Sequence, residues 1–187
     1  MGRFVFEKTK IEGLIVIKPQ PFGDERGYFF EAYNVCDFEE AGLGMRFVQT
    51  NESMSTKGVL RGLHFQKEFP QGKLVRCTVG EVFDVAVDLR RGSKTFGQWF
   101  GLILSESNFF EFYVPKGFAH GFYVLSEKAK FEYMVTDYYH PNDEGSCRYD
   151  DPDIAIDWPI KDDLVLLSEK DKSAPFLREI ANLNYGG

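Results

Sequence analysis

Residues 74–93 read LVRCTVGEVFDVAVDLRRGS. Two apolar runs of strand length, Leu74 to Val79 and Val82 to Leu89, are separated by Gly80 and closed by Gly92-Ser93. Short runs rich in β-branched residues and bounded by turn formers read as strands. The same pattern extends outward to Leu14–Ile17, Trp99–Leu104, Phe109–Val114, Phe118–Leu125 and Phe131–Thr136, punctuated at Ser105 to Asn108, Pro115-Lys116-Gly117 and Ser126 to Lys130. With 19 Phe and 9 Tyr, aromatic residues make up 16% of the chain, which favours strands further. Many short strands at close spacing predict an all-β sandwich, jelly roll or barrel. Helical signals are confined to Asn34–Gly42, where Asn34 caps and Gly42 terminates, and to a weaker stretch near the C-terminus. The residues from Trp158 on are mixed and polar, and are expected to wrap over the sandwich.

A length of 187 residues, without repeat or linker, predicts one domain, 1–187. Subtracting 29 acidic from 22 basic residues leaves a net charge of -7, so nucleic acid is not an expected partner and any anionic ligand needs a local basic pocket. Cys36, Cys77 and Cys147 are odd in number and form no CxxC, which argues against a disulfide framework or zinc ribbon and for a reducing compartment. No apolar run approaches the roughly 18 residues of a membrane span, and the charged MGRFVFEKTK start lacks a signal-peptide core. The expectation is a cytoplasmic protein that does not engage a membrane.

His120 closes the pattern P-x-G-x-x-H, Pro115 to His120, between two strands. This resembles the second motif of cupins, whose double-stranded jelly roll points a histidine into the barrel. Where metal-binding cupins carry H-x-H and then Glu, this chain has His64-Phe65-Gln66 and then Lys73. An ammonium repels the cation that a carboxylate would hold, so no metal site is expected. Spacing alone also allows His120 to be a histidine hydrogen-bonded within the core.

In a regular strand Arg61 and His64 would face opposite sides, so a pocket using both needs a bulge at Gly62. The alternative is a surface arginine and a satisfied histidine. Likewise, Asp24 to Glu31 can be a charged turn leading into an aromatic strand.

Together these stretches carry a fuller resemblance. D-x-R-G-x-F-x-E (24–31), VLRGLHFQ (59–66), QGKLVR (71–76), V-P-x-G-F-A-H-G-F (114–122), Y-x-x-T-x-Y-Y-x-P (133–141), Asp151-Pro152 and LSEKD (167–171) occur in order. The chain resembles the dTDP-4-dehydrorhamnose 3,5-epimerase family over nearly its whole length. The resemblance implies a homodimeric cupin-type jelly roll without cofactor, acting on a dTDP-linked 4-keto-6-deoxy sugar. It implies His64 as base, Asp171 as its orienting carboxylate, Tyr133 as acid on the opposite face of the sugar, and Lys73 at the ketone. It implies Arg26, Arg61 and Lys170 at the diphosphate, Phe29, Glu31, Gln49, Thr50, Asn51, His120 and Glu144 around the nucleotide sugar, and Tyr139 on the thymine. Thr50 stands where the family commonly has Asp, Met134 where it commonly has Lys, and Tyr149 where Trp is usual.

The chemistry suits these residue types. A 4-ketone acidifies the C–H bonds at C3 and C5, and inversion takes a proton from one face and returns one to the other. A histidine, with an ordinary pKa of about 6.5, works near neutrality, and a carboxylate on its far nitrogen strengthens it. An ammonium in a dry barrel stabilises the enolate oxygen. The alternatives are a relative acting at one centre or on another nucleotide sugar, and a non-catalytic sugar-binding cupin.

Overall fold

The computed structural model describes residues 3–161, 164–180, 183 and 185. In chain order the first elements are β1 (Phe4–Lys8), β2 (Ile15–Pro19), β3 (Phe22–Asp24), β4 (Gly27–Phe29) and the helix α1 (Val35–Glu40). They are followed by β5 (Gln49–Thr56), β6 (Leu60–Gln66), β7 (Lys73–Val79), β8 (Glu81–Asp88) and β9 (Trp99–Ser105). The last are β10 (Glu111–Val114), β11 (Phe118–Val124), β12 (Lys128–Val135), β13 (Glu144–Ser146) and the short helix α2 (Glu169–Lys172). One sheet has six strands in the order β1-β2-β10-β7-β12-β5, the other five in the order β13-β6-β11-β8-β9, and β3-β4 is a separate hairpin. From β5 to β13 the chain changes sheet at every step except β8 to β9. This alternation is the expected jelly roll.

Period-2 alternation divides the apolar residues between three cores. Val75, Phe112 and Phe131 of the six-stranded sheet meet Val82, Ala86 and Phe122 of the other sheet in the space between them. Val85 and Val87 point the other way and pack with Leu63, Phe65, Ile154, Leu177 and Ile180. β8 is apolar on both faces from Val82 to Val87, Asp84 apart, because both faces are covered. The C-terminal wrap supplies the second cover, as expected, through Leu177 and Ile180. A third cluster, Phe4, Ile17, Phe38, Leu43 and Leu74, lies under α1. Asn34 caps that helix through Oδ1, which accepts from the Cys36 amide at 3.1 Å, and Gly42 follows with φ of 81°, as its sequence predicts.

Two expected boundaries move. β12 begins at Lys128 rather than Phe131, because Lys128 to Lys130 pair with Thr56 to Met54 of β5. β10 begins at Glu111 rather than Phe109, whose φ of 58° breaks the strand while Asn108 Oδ1 accepts from the Phe110 amide.

β6 contains the bulge that the placement of Arg61 and His64 requires. His64 pairs with His120 and Arg61 with Phe122, so three steps on β6 match two on β11. The extra residue turns Arg61 and His64 to the same face. Gly62 accommodates it with φ of 119°, and a Cβ there would lie 2.7 Å from both Gly121 Cα and the His120 carbonyl oxygen.

Candidate active site

A cleft of about 300 Å³ opens between the sheets. From the five-stranded sheet come His64 and Gln66 on β6 and Glu144 on β13; from the six-stranded sheet come Gln49 and Asn51 on β5, Lys73 on β7 and Tyr133 on β12. Phe65 on β6 and, from adjoining loops, Gln71 and Tyr139 complete the lining. The histidine and the tyrosine therefore stand on opposite walls.

His64 is oriented from outside its own sheet. Its Nε2 lies 2.6 Å from Oδ1 of Asp171, a buried residue on α2. Ser168 fixes Asp171 at two points: its Oγ donates to the carboxylate Oδ2 at 2.8 Å and accepts from the Asp171 backbone amide at 3.1 Å as the helix N-cap. Burial alone would raise the Asp171 pKa. The hydrogen bonds from His64 and Ser168 and the charges of His64 and Lys170 outweigh it, and Asp171 sits below the usual carboxylate value. With Nε2–H donating to this anion, Nδ1 of His64 is left as the free lone pair.

The other wall carries a cation. Burial pulls the Lys73 ammonium down to about 8, opposed by the negative charges of Asp84 and Glu144. Burial raises the Tyr133 hydroxyl above its ordinary value, with Arg61 pulling down and Glu144 pushing up, so it holds its proton at neutral pH. Glu144 makes an ion pair with Lys170 and accepts from the Tyr139 hydroxyl at 2.8 Å. These partners outweigh burial and hold its carboxyl below the usual value. Gln49 donates to Asn51 Oδ1 at 2.7 Å and accepts from the Tyr139 amide at 3.2 Å, which joins β5 to the Tyr139 loop.

Most of the sequence-derived site thus assembles: His64, Asp171, Lys73, Tyr133, Gln49, Asn51, Tyr139, Glu144 and, through Glu144, Lys170. Arg61 lies on the His64 face, where Nε donates to Ser55 Oγ at 3.0 Å, and its charge is felt by Tyr133. Five residues fall outside the cleft within the chain: Arg26, Phe29, Glu31, Thr50 and His120. Arg26 is 85% exposed on the β3-β4 hairpin and paired with Asp24, and Phe29 is 70% exposed on the same hairpin. Glu31 is bound to Arg3 and accepts from Asn34 at 3.0 Å. Thr50 is turned to the outer face by the alternation that brings Gln49 and Asn51 inward. It is the register partner of Met134, so the two positions where this chain replaces the common Asp and Lys are one cross-strand pair away from the cleft.

His120 is the buried, hydrogen-bonded histidine that spacing alone allows: its Nε2 lies 2.9 and 3.0 Å from the two oxygens of Asp84, and it does not line the cleft. Sequence reasoning missed Gln66, Gln71, Ser168 and Asp84. Gln66 stitches the cleft floor by donating to the carbonyls of Phe69 and Tyr138 at 2.6 and 3.2 Å and accepting from the His140 amide at 2.7 Å. The missed signal was its place two residues after His64, where the second cupin ligand would stand. Among the described residues no group of three or more His, Cys, Asp and Glu side chains has the geometry of a metal site, and no helix is long and apolar enough to cross a membrane. A wider cleft of about 720 Å³, lined by Lys10, Arg91, Trp99 and Arg178 among others, has no histidine or tyrosine in its lining.

The family profile described as dTDP-4-dehydrorhamnose 3,5-epimerase matches residues 8–179. The chain belongs to this family. A curated dTDP-4-dehydrorhamnose 3,5-epimerase of Methanothermobacter thermautotrophicus is 55% identical over 181 residues, 96% of this chain and 97% of that protein. The crystal structure of the Legionella pneumophila 3,5-epimerase in complex with dTDP-4-keto-L-rhamnose superposes with a TM-score of 0.92 at 55% identity, covering 95% of this chain and 94% of that one. A dTDP-4-dehydrorhamnose 3-epimerase of Streptomyces niveus is 42% identical over 171 residues, 90% of this chain and 82% of its own length. The dTDP-4-dehydrorhamnose 3,5-epimerase fold and the cleft between its sheets are therefore the frame in which these side chains act.

Proposed function

We propose that this single-domain protein inverts C3 and C5 of dTDP-4-dehydro-6-deoxy-D-glucose to give dTDP-4-dehydro-L-rhamnose, without a cofactor. The observation that carries this reading is the placement of the His64–Asp171 pair and Tyr133 on opposite walls of one cleft, with Lys73 on the strand beside Tyr133. Nδ1 of His64 removes the proton from the carbon beside the ketone. The electron pair moves onto the C4 oxygen, which Lys73 meets with its ammonium, and the Tyr133 hydroxyl gives a proton to the opposite face of the carbon. His64 ends protonated and Tyr133 deprotonated, and exchange with water resets both. Each positioned acid or base contributes roughly 10²–10⁴-fold, and the fixed charge at the developing oxyanion adds a further large share.

Arg61 and Lys170 supply cations for the diphosphate from this chain. Arg26 and Phe29 reach the site from a second copy, since their hairpin projects from its own chain with Phe22, Tyr28 and Phe29 exposed. The working enzyme is then a homodimer, and three free cysteines suit a reducing cytoplasm. Mixing His64→Ala with Arg26→Ala protein tests the exchange: hybrid dimers regain activity when the hairpin acts on the partner and stay inactive when it acts on its own chain.

A single-centre epimerase is the second reading, favoured by the 42% identity to the Streptomyces niveus 3-epimerase. Incubation with the keto sugar in heavy water separates the two. Deuterium at C3 and C5 supports the double inversion, label at one carbon supports the single-centre reading, and no label at either identifies a binding protein and overturns both.

A further inference from the structure

On the strand next to His64 lies a second histidine–carboxylate pair. His120 is the register neighbour of His64, and its ring is held by both oxygens of Asp84. Asp84 lies between Val82 and Ala86 on the inward row of β8 and is 0% exposed. Among the described residues its carboxylate has no hydrogen-bond or ion-pair partner other than His120. A carboxylate so deep in a barrel is costly unless a cation compensates it. Lys73 is such a cation: it lines the cleft on the facing sheet, its ammonium has no hydrogen-bond or ion-pair partner among the described residues, and Asp84 is the foremost charge acting on it.

The charges that act on Lys73 are those of Asp84 from β8 and Glu144 from β13. The cleft lining adds His64 from β6, with Asp171 of α2 behind it, and Tyr133 from β12, while His120 from β11 holds Asp84. Glu144 is already engaged by Lys170 and by the Tyr139 hydroxyl, and Asp171 by His64 and Ser168. Asp84 is the anion left to face the lysine.

We propose that Asp84 is a positioning residue that keeps Lys73 in its ammonium form, through its charge and its hold on His120, and does not itself touch the sugar. This rests on the assignment of Lys73 to the ketone oxygen. The physical demand is specific: a barrel dry enough to make an ammonium effective at an enolate also drives that ammonium toward the neutral amine. A buried anion on the facing sheet, held by His120 and outside the cleft lining, restores the charge without occupying the substrate's space.

The test is the pH profile of kcat/KM, which reports groups of the free enzyme. In the wild type the alkaline limb reflects loss of the Lys73 proton. In Asp84→Asn that limb moves to lower pH by about one unit or more, while at pH 6 the variant stays within a few-fold of wild type. A limb that does not move, or an equal loss at every pH, overturns the proposal and makes Asp84 merely structural. Asp84→Ser gives the same readout if Asn is not accommodated. In Lys73→Arg the guanidinium stays charged, so the limb vanishes and adding Asp84→Asn shifts nothing; a limb that persists overturns the proposal. Lys73→Gln separates the two ideas. Full activity in that variant removes the ketone assignment itself, whereas an inactive Lys73→Gln beside an unshifted Asp84→Asn removes the role of Asp84 alone.

Discussion

His64 and Asp171 stand 107 positions apart in the chain and meet at 2.6 Å through a helix of four residues. That helix is far too short to be stable alone, so it exists to the extent that Ser168 caps it and its surroundings hold it. Asp171→Asn keeps the shape but replaces an anion with an amide that can present an N–H to Nε2. The expected result is a fall in kcat of about 10²–10⁴-fold with little change in KM, measured by steady-state kinetics. Ser168→Ala, which leaves the carboxylate in place but loosens it, lowers kcat by about 10-fold or more. An Asp171→Asn enzyme with near wild-type kcat would show that His64 needs no orienting carboxylate.

Gly62 is where fold and site depend on one backbone position. Any side chain there meets Gly121 Cα and the His120 carbonyl at 2.7 Å, against a φ of 119°. Gly62→Ala is expected to straighten or displace the bulge, turn either Arg61 or His64 away from the cleft, and cost more than about 1–3 kcal/mol of stability. Activity should fall further than the melting temperature alone explains. A variant as stable and active as wild type would mean that the bulge is not what aims His64.

Much of this was legible in the chain because apolar patterning and turn residues are strong where both faces of a strand are covered. β7, β8 and β11 were readable for that reason, and β9, an edge strand, from its apolar run and the turn residues after it. β5 was not, because QTNESMST is an edge strand whose inward residues line a polar cleft and whose outward residues face solvent. The first three residues of β12 were missed for a related reason: Lys128 and Lys130 look like loop residues until they pair with β5. Among site residues, His64, Lys73 and Tyr133 came from motif resemblance, and nothing in local spacing would have joined them to Asp171. Thr50 was drawn in by its neighbours and excluded by alternation. Asp84 carried no signal at all, since one acidic residue in an apolar run shows its purpose only when the opposite sheet is in place.

Glu111 supplies a stability prediction. It is buried in β10, neither carboxylate oxygen has a hydrogen-bond partner among the described residues, and burial raises its pKa from 4.5 to about 8 against the pull of Arg76. The folded protein therefore keeps this proton to a higher pH than the unfolded chain does. Its contribution to stability is complete below pH 4.5 and is lost as pH rises toward about 8. The slope reaches at most about 1.4 kcal/mol per pH unit. Glu111→Gln does not titrate, so urea denaturation across pH 5 to 8 should show the variant gaining on wild type as pH rises. Parallel stability curves would show that Glu111 is ionised in the fold and compensated.

Tyr133 allows acid and base to be separated, because they sit on different sheets. Tyr133→Phe removes one hydroxyl and almost no volume, and the Tyr133 ring packs against the central core cluster, so the fold should survive. His64 would still take the carbon-bound proton and Lys73 would still hold the enolate. Protonation would then come back from the His64 face, returning the starting configuration with a solvent hydrogen. In heavy water the variant is expected to incorporate deuterium into unreacted sugar while product formation falls by about 10²–10⁴-fold. His64→Ala should instead lose both exchange and inversion. If Tyr133→Phe made inverted product at near wild-type rate, the proton on that face would have to come from water or another side chain, and the two-wall mechanism would lose its acid.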